Sequence, residues 1–326
     1  MKKVSIIVPA YNAKNTLIQC VGNLVNQTLQ DIEIILVNDC STDTTPLIME
    51  LLKEKFPDKI IVVDCPVNQG AGGARNEGLK VATGKYIGFV DSDDIVDTTM
   101  FEKMYNKAEE TGYDIIDCGF YNEKDDLAII FTSDELTGIL DAHKRNELIA
   151  SGGYVFTKLF RRDFIKSHDF TFRKNVILED SEIIAYAFAT AASIGNVKEV
   201  LYIYKNNANS LSKLIEPQKY YQSCYNAMKA IYEKLSILPV YSSIKESLEY
   251  EMLQMYSYAV NCCLILGRKV ENFNVINALS SLSEFRNKYI SPGYNNKYVK
   301  NKISSKDIEI MKLNDSSPIK LLNSVK

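Results

Sequence analysis

The chain has 326 residues, of which 46% are hydrophobic and 24% charged, with 15 glycines and 8 prolines. This composition is typical of a soluble globular protein, and the length allows one large domain with a smaller one, or two of moderate size. The apolar runs at residues 4–8 and 259–266 are too short for the core of a secretory leader or for a membrane span of about 20 residues. We therefore exclude a membrane-spanning or disordered class.

Charge is distributed unevenly along the chain. Residues 1–212 carry 22 Lys and Arg against 31 Asp and Glu, a balance of −9, whereas residues 213–326 carry 16 against 10, a balance of +6. A basic C-terminal region can attract anionic phospholipid head groups, and a solvated face is the alternative interpretation. Because the acidic body would repel nucleic acid, we expect no nucleic-acid partner. Peripheral contact with an anionic membrane and formation of a homo-oligomer stay open.

The chain contains seven cysteines and two histidines, and no two cysteines form a C-x-x-C pair. An odd number of cysteines in apolar surroundings is typical of reduced thiols in a cytosolic protein. Two histidines are too few for a histidine-built zinc site. We expect a cytoplasmic protein, with the inner face of the membrane as an alternative location.

Strands and helices alternate over the first part of the chain. Short β-branched apolar runs predict strands at residues 4–9, 31–37, 59–64 and 86–90, and amphipathic segments predict helices from residue 15, at 46–56 and through 75–81. Alternation with short links predicts an α/β fold, a Rossmann-like and mostly parallel sheet flanked by helices.

The regular alternation of predicted strands and helices ends after residue 97. The pattern predicts strands at residues 113–121, 126–132 and 197–205, with helices through 100–108, 142–150, 161–168 and 179–191 and an apolar segment at 154–160. After residue 212 only helices are expected, including one that begins at Pro217 and one at 247–266. These patterns predict an α/β domain over residues 1–212 and a helical C-terminal region over 213–326, with a boundary at 210–216.

Polar side chains follow three of the predicted strands. Tyr11 and Asn12 follow the first strand, Asp39 follows the second, and Asp91-Ser92-Asp93-Asp94 follows the fourth. In a parallel sheet these ends meet along one edge, where ligands bind. Clustered carboxylates suit Mg²⁺ or Mn²⁺, although an Asp-rich turn before a helix is an equally good interpretation of the last segment alone.

Together these side chains match the needs of a nucleoside diphosphate. Asp39 can accept a hydrogen bond from a base or a ribose hydroxyl, Tyr11 offers a flat face, and Arg75 offers a planar fork for phosphate or carboxylate. Asp91 and Asp93 can hold a metal that neutralises the diphosphate. A Walker A motif is absent, and Arg75 stands where the third glycine of a dinucleotide fingerprint belongs.

Six segments carry a family resemblance: VSIIVPAYN (4–12), LVNDCSTD (36–43), NQGAGGARNEG (68–78), GKYIGFVDSDD (84–94), FTKLF (156–160) and the pair Glu179-Asp180. In this order and spacing they resemble the family 2 glycosyltransferases of GT-A fold, in particular bacterial members that build surface polysaccharides. The resemblance covers residues 1 to about 212, and the helical tail lies outside it.

The resemblance implies an inverting transferase that moves a sugar from a nucleotide sugar, most often a UDP-sugar, with Mn²⁺ or Mg²⁺. The acceptor would be a hydroxyl of a glycan or of a lipid-linked molecule. Matched residue by residue, the implied donor-binding positions are Pro9, Ala10, Tyr11 and Asn12 around the base, Asp39 on the uracil, Arg75 near the nucleotide, and Asp91 and Ser92 of the D-x-D motif. Asp93 falls on the metal position and Asp180 on the general base.

Several alternatives stay open at this point. A sugar-phosphate nucleotidyltransferase would need a glycine-rich, Arg-bearing loop straight after the first strand, and a non-catalytic nucleotide-sugar-binding scaffold would need no base. Glu179 is expected to cap its helix, and Lys158 either meets a phosphate or flanks a strand. Tyr204 and residues 210–212 lie where the family often has a donor-contacting loop, and Cys40 stands where a small residue such as Gly or Ser is expected.

Overall fold

The computed structural model describes residues 2–207 and 216–324. Within these residues the chain forms two compact units. The first contains the chain up to Lys144 and resumes at Gly153, and the second combines Arg145–Gly152 with the C-terminal helices. The boundary predicted at residues 210–216 lies almost wholly outside the described residues.

The first unit is built on one ten-stranded sheet. Its strands are β1 Val4–Ala10, β2 Ile32–Asn38, β3 Ile60–Asp64, β4 Tyr86–Phe89, β5 Ile95–Val96, β6 Ile115–Asn122, β7 Leu127–Ile129, β8 Gly138–Ile139, β9 Lys158–Arg161 and β10 Ser193–Tyr204.

The strand order is β3-β2-β1-β4-β9-β6-β10-β5, with β7 paired to β6 and β8 paired to β10. The pairs among β1, β2, β3 and β4 are all parallel, as the alternation of strands and helices predicts. β9 lies antiparallel between β4 and β6, while β6 and β10 are parallel to each other. The predicted α/β fold is confirmed, and its second half is a mixed sheet rather than a parallel one.

Thirteen helices accompany the strands in the described part of the chain. They are α1 Leu17–Val25, α2 Thr45–Lys55, α3 Gly70–Val81, α4 Met100–Thr111, α5 Ala142–Ser151, α6 Arg162–Ser167, α7 Ser181–Thr190, α8 Pro217–Leu235, α9 Tyr241–Lys269, α10 Val275–Tyr289, α11 Lys297–Lys302, α12 Ser305–Ser316 and α13 Pro318–Ser324.

Local sequence explains why these helices form and how closely they pack. α1 turns Leu17, Val21 and Leu24 into the core at helical spacing, and all three are fully buried. α3 approaches β1 so closely that a Cβ atom at Gly78 would lie 2.5 Å from the Ile7 side chain. The glycines of α3 therefore allow the helix to lie directly on the strand that leads to the candidate site.

The second unit is helical throughout its described residues, as expected. Its central helix α9 is 29 residues long and buries side chains on most of its circumference. Polar contacts attach α12 to its neighbours: Asp315 of α12 accepts hydrogen bonds from Tyr256 Oη of α9 at 2.6 Å and from Tyr294 Oη, between α10 and α11, at 2.6 Å. In the described part of the chain, we find no helix with the length and apolar character needed to cross a bilayer.

Candidate active site

The carboxyl ends of three adjacent strands form one edge of the sheet. Because β2, β1 and β4 are neighbours, the residues that follow them converge, as the strand alternation predicts. Tyr11 is 41% exposed at this edge, whereas Pro9 and Ala10 are buried inside β1. Pro9 and Ala10 thus set the path of the strand toward Tyr11.

Asn12 holds the loop that follows β2. It lies in the left-handed region with φ 51°, which asparagine tolerates. Its Oδ1 accepts hydrogen bonds from the Thr42 amide at 2.8 Å and the Asp43 amide at 3.3 Å, and its own amide donates to Ser41 Oγ at 3.0 Å. The two loops that flank Tyr11 are therefore tied together.

Asp39 is nearly inaccessible and connects β2 with the start of α3. Its Oδ1 accepts a hydrogen bond from the Gln69 amide at 2.7 Å, and its carbonyl oxygen accepts one from Asn68 Nδ2 at 3.1 Å. Burial raises the pKa of Asp39, and the backbone amides of Gln69 and Gly70 oppose that rise. The next residue, Cys40, has φ 60°, which explains why a glycine would suit this position.

Arg75 is the centre of a buried ionic cluster. Only 4% exposed, it donates from Nη2 to Asp91 Oδ1 at 2.9 Å and from Nη1 to Glu179 Oε1. Burial alone would lower the pKa of Arg75, but the negative charges of Asp91, Glu179 and Asp180 outweigh it and raise the pKa. The guanidinium thus joins the D-x-D segment after β4 to the acidic pair before α7.

The D-x-D turn is also fixed from the other side, by β10. The Asp91 amide donates to Tyr202 Oη at 3.2 Å, and that hydroxyl donates to Asp94 Oδ2 at 2.7 Å. Asp94 Oδ1 accepts from the Lys205 amide at 2.8 Å. Burial and the neighbouring charges of Asp91 and Asp93 raise the pKa of Asp94 to about 8, against these two hydrogen bonds. Asp94 therefore braces the turn.

The carboxylates of the D-x-D turn differ in how available they are to a metal ion. Asp91 is engaged with Arg75, both oxygens of Asp94 accept hydrogen bonds, and Asp93 Oδ2 accepts a long one of 3.4 Å from Asn207 Nδ2. Across residues 2–207 and 216–324, no three His, Cys, Asp or Glu side chains converge on a metal position. Mg²⁺ is commonly held by one or two carboxylates together with substrate phosphates, so Asp93 fits an ion that arrives with a diphosphate.

Asp180 is half-buried at the N-cap position of α7. Burial and the charges of Glu179 and Asp91 raise the pKa of Asp180 to about 7, although the cation of Arg75 opposes this rise. A carboxyl group with this pKa can exchange a proton near neutral pH, which is what a general base requires.

The segment that carries Asp180 is attached firmly to α3. Asn76 donates from Nδ2 to the Phe172 carbonyl at 2.9 Å and accepts from the Phe172 amide at 2.9 Å. The Asn175 amide donates to the Gln69 carbonyl at 2.7 Å. A Cβ atom at Gly72 would lie 2.2 Å from the Arg173 carbonyl oxygen, so only glycine allows this approach.

Two residues of the site differ from, or are missing from, the sequence predictions. Glu179 binds Arg75 instead of capping α7. Nothing in the sequence marks Tyr202, whose role depends on the pairing of β10.

Lys158 is 1% exposed and paired with Asp117 at 2.9 Å, so it lies in the core and away from any phosphate. Residues 210–212 lie outside the described residues.

Comparisons with known proteins identify the fold and the family. The sequence profile described as "Glycosyl transferase family 2" matches residues 5–175. The chain is 37% identical over 243 residues to the uncharacterized glycosyltransferase EpsJ of Bacillus subtilis, covering 70% of this chain and 69% of EpsJ. It is 30% identical over 250 residues to a poly(ribitol-phosphate) beta-glucosyltransferase of Bacillus spizizenii, covering 70% of this chain and 37% of that enzyme.

The structure is similar to that of Staphylococcus aureus TarS residues 1–349 in complex with UDP-GlcNAc. The TM-score is 0.77 at 21% identity, and the match covers 99% of this chain and 90% of the TarS fragment. This similarity shows the fold, whereas the family profile and the match to EpsJ show that the chain belongs to glycosyl transferase family 2 and is a glycosyltransferase.

Proposed function

We propose that this protein is an inverting, metal-dependent transferase that moves a sugar from a UDP-sugar to a hydroxyl group in cell-surface polysaccharide synthesis. The acceptor would be a glycan or a lipid-linked molecule. The Bacillus spizizenii relative, a poly(ribitol-phosphate) beta-glucosyltransferase, supports a role in cell-surface polymer synthesis, and the UDP-GlcNAc bound to TarS supports a UDP-sugar donor.

The observation that carries the proposal is that the acidic residues around Arg75 differ in their contacts with its guanidinium. Asp91 and Glu179 both accept hydrogen bonds from the guanidinium of Arg75. Asp180 lies next to this cluster, with its pKa raised to about 7. Two carboxylates of the site are thus engaged with Arg75, and the third, Asp180, provides an exchangeable proton position near neutral pH.

Inversion requires one in-line displacement. A bond forms between the acceptor oxygen and the anomeric carbon while the bond from that carbon to the diphosphate oxygen breaks on the opposite face. The proton of the acceptor hydroxyl passes to an Asp180 carboxylate oxygen, and the electron pair of the broken bond leaves with UDP. One carboxylate is enough because no covalent sugar–enzyme intermediate forms.

The remaining residues bind and orient the donor. Tyr11 offers its exposed ring to the base, and Asp39, held by the Gln69 amide, offers an acceptor oxygen to the uracil. Asp91, oriented by Arg75, would contact the ribose and the donor sugar. Asp93 would hold the divalent ion, which when bound stabilises the charge that develops on the leaving diphosphate.

The test separates donor binding from chemistry. Asp180→Asn should bind UDP as wild type does in calorimetry, yet release UDP from UDP-sugars in the presence of envelope-glycan acceptors about 10²- to 10⁴-fold more slowly. Asp93→Ala should lose the effect of Mn²⁺ on UDP affinity.

The matched control is Asp163→Asn, which removes an exposed carboxylate from the first turn of another helix, α6, and should leave both measurements unchanged. Wild-type rates in both Asp180→Asn and Asp93→Ala would contradict the proposed roles.

A further inference from the structure

A second arginine, Arg173, holds the chain on both sides of Asp180. Its Nη2 donates to the Leu178 carbonyl oxygen at 2.8 Å, and its Nε donates to Glu182 Oε2. Leu178 lies two residues before Asp180, and Glu182 lies two residues after it, in the first turn of α7. The side chains of Arg173 and Glu182 are 19% and 5% exposed, so water competes little for these contacts.

The loop that Arg173 holds has an unfavourable backbone conformation at Leu178. This residue has φ 60°, in the left-handed region that a large apolar side chain rarely adopts. A residue in this region persists only where the surrounding structure holds it there. Because Leu178 immediately precedes Glu179 and Asp180, its conformation sets the direction in which the acidic pair leaves the loop.

The main chain of Arg173 is itself fixed by α3. A Cβ atom at Gly72 would lie 2.2 Å from the Arg173 carbonyl oxygen. The preceding residue, Phe172, exchanges two hydrogen bonds of 2.9 Å with Asn76 through its amide and its carbonyl oxygen. The helix that carries Arg75 therefore also fixes the point from which the Arg173 side chain extends.

We propose that Arg173 is a positioning residue, which holds the Asp180 carboxylate in the orientation needed to accept the proton of the acceptor hydroxyl. The inference rests on the proposed function, since it takes Asp180 as the base. Arg173 acts through Leu178 and Glu182. Misplacing a reacting group by about 1 Å can slow a reaction roughly 100-fold, so a contact of this kind affects the rate without touching substrate.

The first measurement uses the full chain and needs no turnover. The Ile184 amide donates to the Asp180 carbonyl oxygen at 2.8 Å and closes the first turn of α7. We expect Arg173→Met to speed hydrogen exchange of the Ile184 amide, followed by NMR, roughly tenfold or more, because two hydrogen bonds that hold this turn are lost. Unchanged exchange would overturn the proposal.

Arg161→Met is the matched control. Arg161 also binds a largely buried carboxylate, that of Asp114, immediately before β6. Because β4 and β6 both lie antiparallel to β9, this pair lies at the opposite edge of the sheet from the D-x-D turn. The control should leave exchange at Ile184 unchanged. Equal acceleration in both variants would indicate general loosening and would overturn the proposal.

The second measurement asks whether Arg173 acts through Asp180. The rate is that of UDP release from UDP-glucose and UDP-GlcNAc with Mn²⁺ and envelope-glycan acceptors. Arg173→Met should lower kcat about 10- to 100-fold and change KM for the donor by less than about twofold. In the Asp180→Asn background the same change should alter kcat by no more than about twofold, because the carboxylate that it positions is gone. Equal losses in the two backgrounds would overturn the proposal.

A milder variant covers the case in which Arg173→Met does not fold. Glu182→Gln keeps the size of the side chain and weakens only the contact on the helix side, since the acceptor becomes neutral. It should give smaller changes of the same sign in both measurements, and the loss of kcat should again disappear in the Asp180→Asn background. Wild-type exchange and kcat in Glu182→Gln would then overturn the proposal.

The outcomes separate this inference from the proposed function. If wild type releases no UDP, or Asp180→Asn releases it at the wild-type rate, the proposed function fails and the positioning role fails with it. If Asp180→Asn is slow but Arg173→Met keeps the wild-type kcat, only the positioning role fails.

Discussion

The proton affinity of Asp180 is set by its surroundings more than by its own chemistry. Because burial and Glu179 raise its pKa to about 7, the charged form that would act as the proposed base is populated mainly above that pH. We expect kcat/KM for the donor to rise through an apparent pKa near 7. The measurement is UDP release between pH 5.5 and 8.5, and Asp180→Asn should remove this dependence from its residual rate.

The same shift has a consequence for stability with a definite sign. The raised pKa means that the folded protein keeps the Asp180 proton while the unfolded chain has already lost it. The contribution of Asp180 to the free energy of unfolding is therefore fully present below about pH 4 and is lost as the pH rises through 7. Asp180→Asn should melt higher than wild type by an increasing margin from pH 5 to 7.5. An equal melting temperature at every pH would contradict the assigned pKa.

Arg75 should matter more for stability than a surface arginine does. Arg75→Met leaves Asp91 and Glu179 partly buried without their cation, at a cost of about 3–5 kcal/mol. The free energy of unfolding in urea measures this cost, with Lys80→Met on the exposed side of the same helix as the control.

Adding Glu179→Gln to Arg75→Met should recover part of the loss, because one uncompensated charge is removed. Additive losses in the double variant would argue against direct coupling of Arg75 and Glu179.

At the scale of elements, the close approach of α3 to the segment before α7 is the contact that positions Asp180. Gly72→Ala would place a methyl group 2.2 Å from the Arg173 carbonyl, so we expect lower stability and a displaced Asp180. Transfer rate and melting temperature should both fall.

Gly22→Ala is the matched control in α1, because a Cβ atom there has no neighbour within 4 Å. This change should stabilise the protein by about 0.5–1 kcal/mol. A Gly72→Ala variant that behaves like Gly22→Ala would contradict the described packing.

Elements governed by local pattern could be predicted from the sequence, and those governed by long-range pairing could not. Strands β1 to β4 follow from β-branched runs and short links. The two-residue strands β5 and β8 have no pattern of their own and exist only through pairing with β10. Likewise, the apolar segment at residues 154–160 divides into a 3₁₀ turn at Val155–Thr157 and strand β9, which begins only at Lys158.

In the candidate site, too, some residues could be predicted from local pattern and other contacts could not. Tyr11, Asp39, Asp91 and Asp93 follow directly from the strand ends, because the topology of a parallel sheet brings those ends together. The contact of Arg75 with Glu179 spans 104 positions in the chain, so no local pattern could have indicated it.

At the scale of the whole molecule, the positive charge after residue 285 lies partly on exposed lysines of the second unit. Lys300, Lys306 and Lys320 are exposed, whereas Arg286 is buried against Asp315. If the basic region binds anionic lipid, Ala substitution of these three lysines should weaken binding to phosphatidylserine vesicles roughly 100-fold, at about 1 kcal/mol per charge.

The control replaces three exposed lysines of the first unit, Lys53, Lys55 and Lys124, and should leave vesicle binding unchanged. Equal binding by both triple variants would remove the basis for a membrane role. Deleting the chain after residue 285 would be a poor test, because Val299, Met311 and Leu321 are fully buried and the deletion would disrupt the second unit.

The membership of Arg145–Gly152 in the second unit has a consequence for the order in which the protein folds. Glu147 accepts a hydrogen bond from Tyr298 Oη at 2.8 Å, and the Ala150 carbonyl accepts one from Lys302 Nζ at 2.8 Å. These partners leave the ribosome about 150 residues apart, so this stretch of the chain must wait for nearly complete synthesis before its contacts can form. A nascent chain that stalls before residue 298 would leave it uncovered and open to proteases or chaperones.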